Sequence, residues 1–211
     1  MNNRLLFTLV LAAFLIRSVA SAQSVEVYGG HQRTGVDLMW FKNFKNAEEE
    51  PSSFLFFSRN RASINEPDAS TAFGSTNAVS YNFKNGLGIV AVGAFLNAGF
   101  TTKTGLQYFK SRGDFMFFGW LVTDLKKQGS IDLFGMFRYQ PQIGSQWRLF
   151  SQVELFPVFS PQKGLWNLTE RLRLGAWHHD WAAGAMADFN QTGRNDFIQT
   201  GNLGIFLRHD F

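Results

Sequence analysis

Along most of this chain, polar and apolar residues alternate in blocks of about ten, a period of two that marks strands with two unlike faces. In Ile131–Tyr139, one face reads Ile131, Leu133, Gly135, Phe137 and Tyr139, and the other Asp132, Phe134, Met136 and Arg138. In 147–156, Trp147, Leu149, Ser151, Val153 and Leu155 stand opposite Arg148, Phe150, Gln152, Glu154 and Phe156. The last block sets Leu203, Ile205, Leu207, His209 and Phe211 against Asn202, Gly204, Phe206, Arg208 and Asp210. Helical periodicity is weak. After the N-terminal region the best apolar stretch is 87–96, well short of the roughly 20 residues a membrane-spanning helix needs.

Turn residues punctuate the blocks. Asn85-Gly86 predicts a two-residue hairpin turn of type I′, which requires two positive φ angles. Further breaks fall at 112–114, 128–130, 141–145, 161–164, 178–180 and 191–196. The strand-like segments are 24–42, 53–64, 75–84, 87–97, 101–110, 115–126, 130–139, 147–157, 165–177, 181–190 and 197–211. No linker or shift of composition divides them, so the expectation is one all-β domain.

The first 22 residues differ from the rest. Arg4 gives a positive start, Leu5 to Ile16 is apolar, and Ala20-Ser21-Ala22 fits a small-residue cleavage site. The apolar run is too short to span a bilayer. The expected organisation is therefore a cleaved signal peptide over 1–22 and a mature barrel domain over 23–211. The formal charge of +4 includes Arg4 and Arg17 in this leader, leaving 18 Lys+Arg against 16 Asp+Glu. That balance does not point to nucleic acid. With no cysteine in the chain, disulfide frameworks, thiolate metal sites and cysteine nucleophiles are excluded.

A soluble β-sandwich would also alternate, but three features favour a closed antiparallel transmembrane β-barrel. The strands have the length that a tilted strand needs to cross hydrocarbon. The presumed inner face is repeatedly ionic, which a dry sandwich core would not tolerate. The chain also ends on an alternating strand that closes with an aromatic residue. That last run, with Leu203, Ile205, Leu207 and Phe211 at every second position or nearly so, resembles the C-terminal assembly signal of bacterial outer-membrane β-barrels; His209 departs from it by being polar. The resemblance implies the Gram-negative outer membrane, a porin-like architecture, and outer-membrane lipid and the barrel-assembly machinery as partners. It also implies an even strand number with both chain ends on the periplasmic side. Splitting the first segment near Gln32 to Gly35 gives twelve strands, with ten as the runner-up. The twelve-strand arrangement places the Asn85-Gly86 turn inside and the longest loop, Asn65 to Gly74, outside.

The inward set carries the functional expectation. Arg59, Arg61, Asp132, Arg138, Arg148, Glu154, Arg171, Arg173, Asp188 and Arg208 are the candidate lumen-lining residues, with Asp124 and Asp210 facing the same interior. They suit a narrow channel for passive diffusion of small polar or anionic solutes, because rings of charge set pore selectivity. Alternatively, they pair across neighbouring strands and plug a structural barrel. The architecture resembles that of small monomeric nucleoside and acidic-sugar channels, and a monomer is expected. No catalytic, cofactor-binding or metal residue is assigned. His178-His179-Asp180 coincides with a predicted tight turn, Arg112-Gly113-Asp114 suits a hairpin turn better than an adhesion motif, and a lipid-modifying barrel enzyme is the weakest reading.

Overall fold

The computed structural model describes residues 24–66, 68–97, 99–125 and 129–211; the predicted leader and its cleavage site lie outside them. Twelve strands follow one another among these residues: β1 (Ser24–Gly30), β2 (Arg33–Lys45), β3 (Pro51–Asn65), β4 (Thr71–Asn82), β5 (Leu87–Leu96) and β6 (Gly99–Arg112), then β7 (Phe115–Asp124), β8 (Ile131–Tyr139), β9 (Trp147–Ser160), β10 (Leu165–His178), β11 (Trp181–Gly193) and β12 (Phe197–Asp210). Each pairs antiparallel with its sequence neighbours, and β1 pairs with β12 from Ser24↔Asp210 to Gly30↔Gly204, which closes the barrel. Closure leaves no sheet edge, the condition for putting backbone amides in lipid. The first predicted segment divides at His31 and Gln32, so twelve strands stand and ten do not.

Both ends of the barrel chain, Ser24 and Asp210, lie at one rim, here called the terminal end. The pairings show how steeply the strands tilt. Following partners from Glu26 to Asp37, Arg61, Gly74 and Leu96 leads from the middle of β1 to the far tip of β5. The opposite trail runs from Glu26 through Arg208, Ala182 and Trp177 to Arg148, next to the terminal rim. Tilt and stagger of this kind accompany any closed barrel. They bring inward residues from different parts of the strands to one level.

Two expectations about the connections fail. Among the positive φ angles, Gly86 has one, at 90°, and Asn85 does not. Phe83 N donates to Leu87 O, Gly86 N donates to Phe83 O, and the Asn85 side chain accepts from Leu87 N. The turn is thus a longer one with a single left-handed glycine at its end, the alternative hairpin closure. Asn85 is used as a side-chain acceptor and needs no strained backbone. The supposed long loop Asn65 to Gly74 shrinks to 66–70, because Thr71 to Gly74 pair with Ile64 to Arg61. Its Thr, Ala and Gly content hid a strand end. The longest stretch between strands, 140–146, lies at the terminal end instead, so no asymmetry of loop length separates the two rims.

The outside is a band of exposed Leu, Ile, Val and Phe bordered by aromatic residues. At the terminal end Phe115 stacks on Tyr139 at 4.3 Å, and Trp147 stacks on His178 at 4.5 Å. At the far end Phe159 meets Trp166 at 4.4 Å. An apolar belt between two aromatic girdles is the exterior of a transmembrane barrel. Leu203, Ile205, Leu207 and Phe211 all face outward and are exposed. His209 shares their face and lies between Trp181 and Phe211, at 4.4 and 4.5 Å, so the polar departure from the terminal pattern belongs to the girdle.

Candidate functional site

The interior divides into layers along the barrel axis. Towards the terminal end it is filled with aromatic and sulfur side chains. Phe57 stacks on the fully buried Phe118 at 5.1 Å, Phe41 meets Phe118 edge-on at 4.5 Å, and Met136 is sealed beside them. On the other wall the buried Phe150 packs against Trp177 and Phe206. The guanidinium groups of Arg138 and Arg208 lie 5.6 and 5.5 Å from the Phe150 ring centre, within cation–π range.

Above this plug sits a girdle of buried ions. Asp37 on β2 accepts from Arg59 Nη2 at 2.6 Å and Nε at 3.1 Å. The same guanidinium crosses the lumen to Glu154 on β9, at 2.9 and 3.0 Å. Glu154 also accepts from Gln152 at 2.7 Å and from Arg171 at 3.3 Å. A second group joins β10 to β1 and β11: Arg173 donates to Glu26 at 2.8 Å and to Asp188 at 2.6 Å. On a third wall Lys103 holds Asp132 at 2.6 Å and Ser130 at 2.7 Å. Because β3 and β9 are not sheet neighbours, nor β10 and β1, nor β6 and β8, three of these bridges reach past the adjoining strand on the lumen side. Burial of so many charges is tolerable only with this degree of pairing.

Beyond the girdle, beneath the far-end hairpins, lies a cavity of about 310 Å³. Its wall contains Arg33, Arg59, Arg61, Lys103 and Arg171, and a single acid, Asp132. Tyr28 floors one side, and its position depends on glycine: a Cβ on Gly35 would come 2.6 Å from the Tyr28 hydroxyl. Arg61 Nη2 and Arg33 Nε are buried without hydrogen-bond partners among the described residues. Arg61 Nε lies 2.9 Å from Asp37 but off the axis of a hydrogen bond. A second cavity, of about 490 Å³, opens at the terminal end beside Ser24, Phe41, Asp210 and Phe211. The two cavities have no lining residue in common; the aromatic plug and the ion girdle form a septum between them.

This architecture is shared with solved porins. A KdgM porin in complex with disordered oligogalacturonate superposes with a TM-score of 0.52, at 14% identity, covering 89% of this chain and 99% of that one. A NanC porin superposes with a TM-score of 0.52, at 12% identity, covering 89% of this chain and 98% of that one. The likeness is one of fold. No protein-family profile and no curated protein sequence matches the chain.

The candidate lumen residues occupy several distinct places. Arg59, Arg61, Arg171 and Asp132 border the far-end cavity, and Glu154 joins Arg59 to Arg171 beneath it. Arg173 and Asp188 belong to the second ion group. Arg138 lies lower, bonded to Gln152 at 2.8 Å, and Arg208 pairs with Asp210 at 2.9 Å. Arg148 lies apart from the rest. It stands at the start of β9 on the terminal rim, half exposed, and bonds Asp114 at 3.0 Å and the Gln140 carbonyl at 2.7 Å. Sequence reasoning missed Glu26, Asp37, Arg33 and Lys103. The alternation Ser24, Glu26, Tyr28 was available as a signal, whereas Asp37 shares its face with Met39 and Phe41, so both faces of β2 read apolar, and Lys103 lies between Thr102 and Thr104, which blur the period. His178 and Asp180 flank His179, whose φ is 52°, in the turn after β10. No group of residues suited to hold a metal ion occurs among the described residues.

Proposed function

We propose that this chain is a porin-like barrel of the Gram-negative outer membrane that passes small anionic or polar solutes by diffusion and performs no chemistry on them. The observation that carries the reading is the far-end cavity, where five cations and one acid line the wall; with Asp37 and Glu154 beneath them counted, five cations stand against three acids and the balance remains positive. A mouth of that sign concentrates anions and repels cations, since rings of charge set selectivity in a pore. The unpartnered donors of Arg33 and Arg61 are ready to hydrogen-bond a carboxylate or phosphate oxygen. The KdgM porin of the same fold was solved with oligogalacturonate, a chain of carboxylates, which agrees with that sign. With both chain ends on the periplasmic side, the cationic mouth opens outward, and the leader over 1–22 delivers the chain to the assembly machinery.

The septum supports a second reading, a structural barrel that conducts nothing. Single-channel recording of the refolded mature chain in a planar bilayer, under a salt gradient, separates the two. Discrete conductance steps with a reversal potential of anionic sign support the channel. A silent bilayer containing folded barrel refutes it and leaves the structural barrel.

A further inference from the structure

The lipid-facing wall is apolar over most of its circumference, with Leu121, Leu133, Leu172, Leu174, Ile205 and Leu207 among its exposed residues. One sector differs. On β3 the inward positions are Arg59 and Arg61, so Ser58 and Asn60 point out; on β4 Thr76 and Ala78 point in, so Ser75 and Asn77 point out. On β5 and β6 the same alternation turns Gly93 and Thr102 outward. The pairings Asn60↔Ser75, Ser58↔Asn77, Asn77↔Gly93 and Gly93↔Thr102 make these residues one contiguous patch, in which Ser58 is covered by its neighbours and Phe100 lies against Gly93. It lies inside the apolar belt, with Phe73 and Phe95 on its far-end side and Val79 and Ile89 on its terminal side.

Each asparagine spends one amide hydrogen on its own strand. Asn60 donates to Ser58 at 3.2 Å, and Asn77 donates to Ser75 at 3.1 Å. The second amide hydrogen and the side-chain carbonyl of each remain without a partner among the described residues. Water would satisfy them, but hydrocarbon cannot. A primary amide is donor and acceptor at once, so a patch of amides complements its own image across a two-fold axis. No outward Lys, Arg, Asp or Glu interrupts the patch, so two copies meet without repulsion.

In departure from the monomer expected from the sequence, we propose that the β3–β6 sector is the contact face of a homodimer, in which a second copy of this chain presents the same sector and the asparagine amides bond across the two-fold axis. Each copy remains a complete barrel of one chain, and the contact is isologous, the commonest form of association. The inference rests on the reading of this chain as a membrane barrel, because a wall facing water would leave its amides hydrated.

The absence of native cysteine makes the test direct. Thr102→Cys places one thiol at the edge of the patch and spares both asparagines; Leu174→Cys on β10 places one on the opposite wall. Each mature variant is refolded into vesicles of phosphatidylethanolamine and phosphatidylglycerol and treated with a short bismaleimide. The expected result is a covalent species of twice the monomer mass for Thr102→Cys and monomer for Leu174→Cys. Adding Asn60→Leu and Asn77→Leu to the first variant should abolish the doubled mass while the heat-modifiable barrel band persists. Monomer from both variants, or equal cross-linking of both, overturns the homodimer. A doubled mass that survives the two leucines also overturns it, because the amides would then not form the contact. If no heat-modifiable band forms in the vesicles, the membrane reading itself has failed, and the homodimer fails with it.

Discussion

Glu154 is the residue on which the ion girdle turns, and Glu154→Gln removes its charge while keeping its shape and one acceptor oxygen. In the native barrel its carboxylate, nearly sealed from solvent, receives Arg59, Arg171 and Gln152. Without that charge, Arg59 and Arg61 share Asp37 alone, and Arg171 has no ion pair among those described. Breaking a buried pair by removing one partner typically costs about 3–5 kcal/mol. Arg171 borders the cavity with its side chain 21% exposed, so water recovers part of its loss, and the expected cost is near the lower limit, about 3 kcal/mol. Urea unfolding of the barrel in vesicles, followed by tryptophan fluorescence, should show an earlier midpoint at unchanged slope. A cycle with Arg59→Gln should recover part of the loss, because the two groups face each other. The girdle also becomes more cationic, so anion preference should rise if current flows. A midpoint unchanged within error would refute the reasoning, since it would mean that water, and not Glu154, already satisfies these guanidinium groups.

Three further outcomes follow from the same structure. Arg173→Ser leaves Glu26 and Asp188 buried around an absent cation, so the urea midpoint should fall by the equivalent of about 3–5 kcal/mol; a lipid-facing arginine would behave oppositely, its removal raising stability by roughly 2–4 kcal/mol at the midplane. Arg171→Ser takes one of the five cations from the far-end cavity and should move the reversal potential towards cations, with little change if the cavity lies off the ion path. Deleting Phe211 should lower the amount of heat-modifiable protein in the outer membrane, and intact mass of the extracted protein should correspond to a chain starting at Gln23; a mass retaining Arg4 and Arg17 would show that the leader is kept.

Alternation made the fold legible wherever the two faces differ in chemistry. In β8, β9 and β12 the outer face is Leu, Val or Ile and the inner face ionic or aromatic, and the strand bounds fell within a few residues of those observed. It failed where both faces are small or polar. Thr71 to Gly74 looked like loop because neither face carries a bulky apolar series, and the outward Ser75 and Asn77 prolonged that appearance. The site was legible as a list of inward charges and not as a set of contacts. Arg59 and Glu154, 95 positions apart, meet only because tilt brings the middle of β3 level with the middle of β9. No local spacing encodes that meeting. The choice of the Asn85-Gly86 turn failed for a similar reason, since a short motif permits more than one hairpin closure and the register of β4 on β5 selects among them.

The lumen-spanning bridges carry a consequence for assembly. Glu26 lies in the first strand and Arg173 in the tenth, 147 positions apart, so their pair cannot exist until β12 has returned to β1. Pairs between adjacent strands, such as Arg59 with Asp37 and Arg173 with Asp188, form earlier, but every earlier sheet-like intermediate holds Arg173 apart from Glu26 and Arg59 apart from Glu154. Such an intermediate is therefore held back from entering hydrocarbon by the same charges that later stabilise the finished interior. Loop-closure entropy for contacts of this range must be met before they form. Insertion and ring closure are thus bound into one event, and a half-built wall has nothing to gain by going in early.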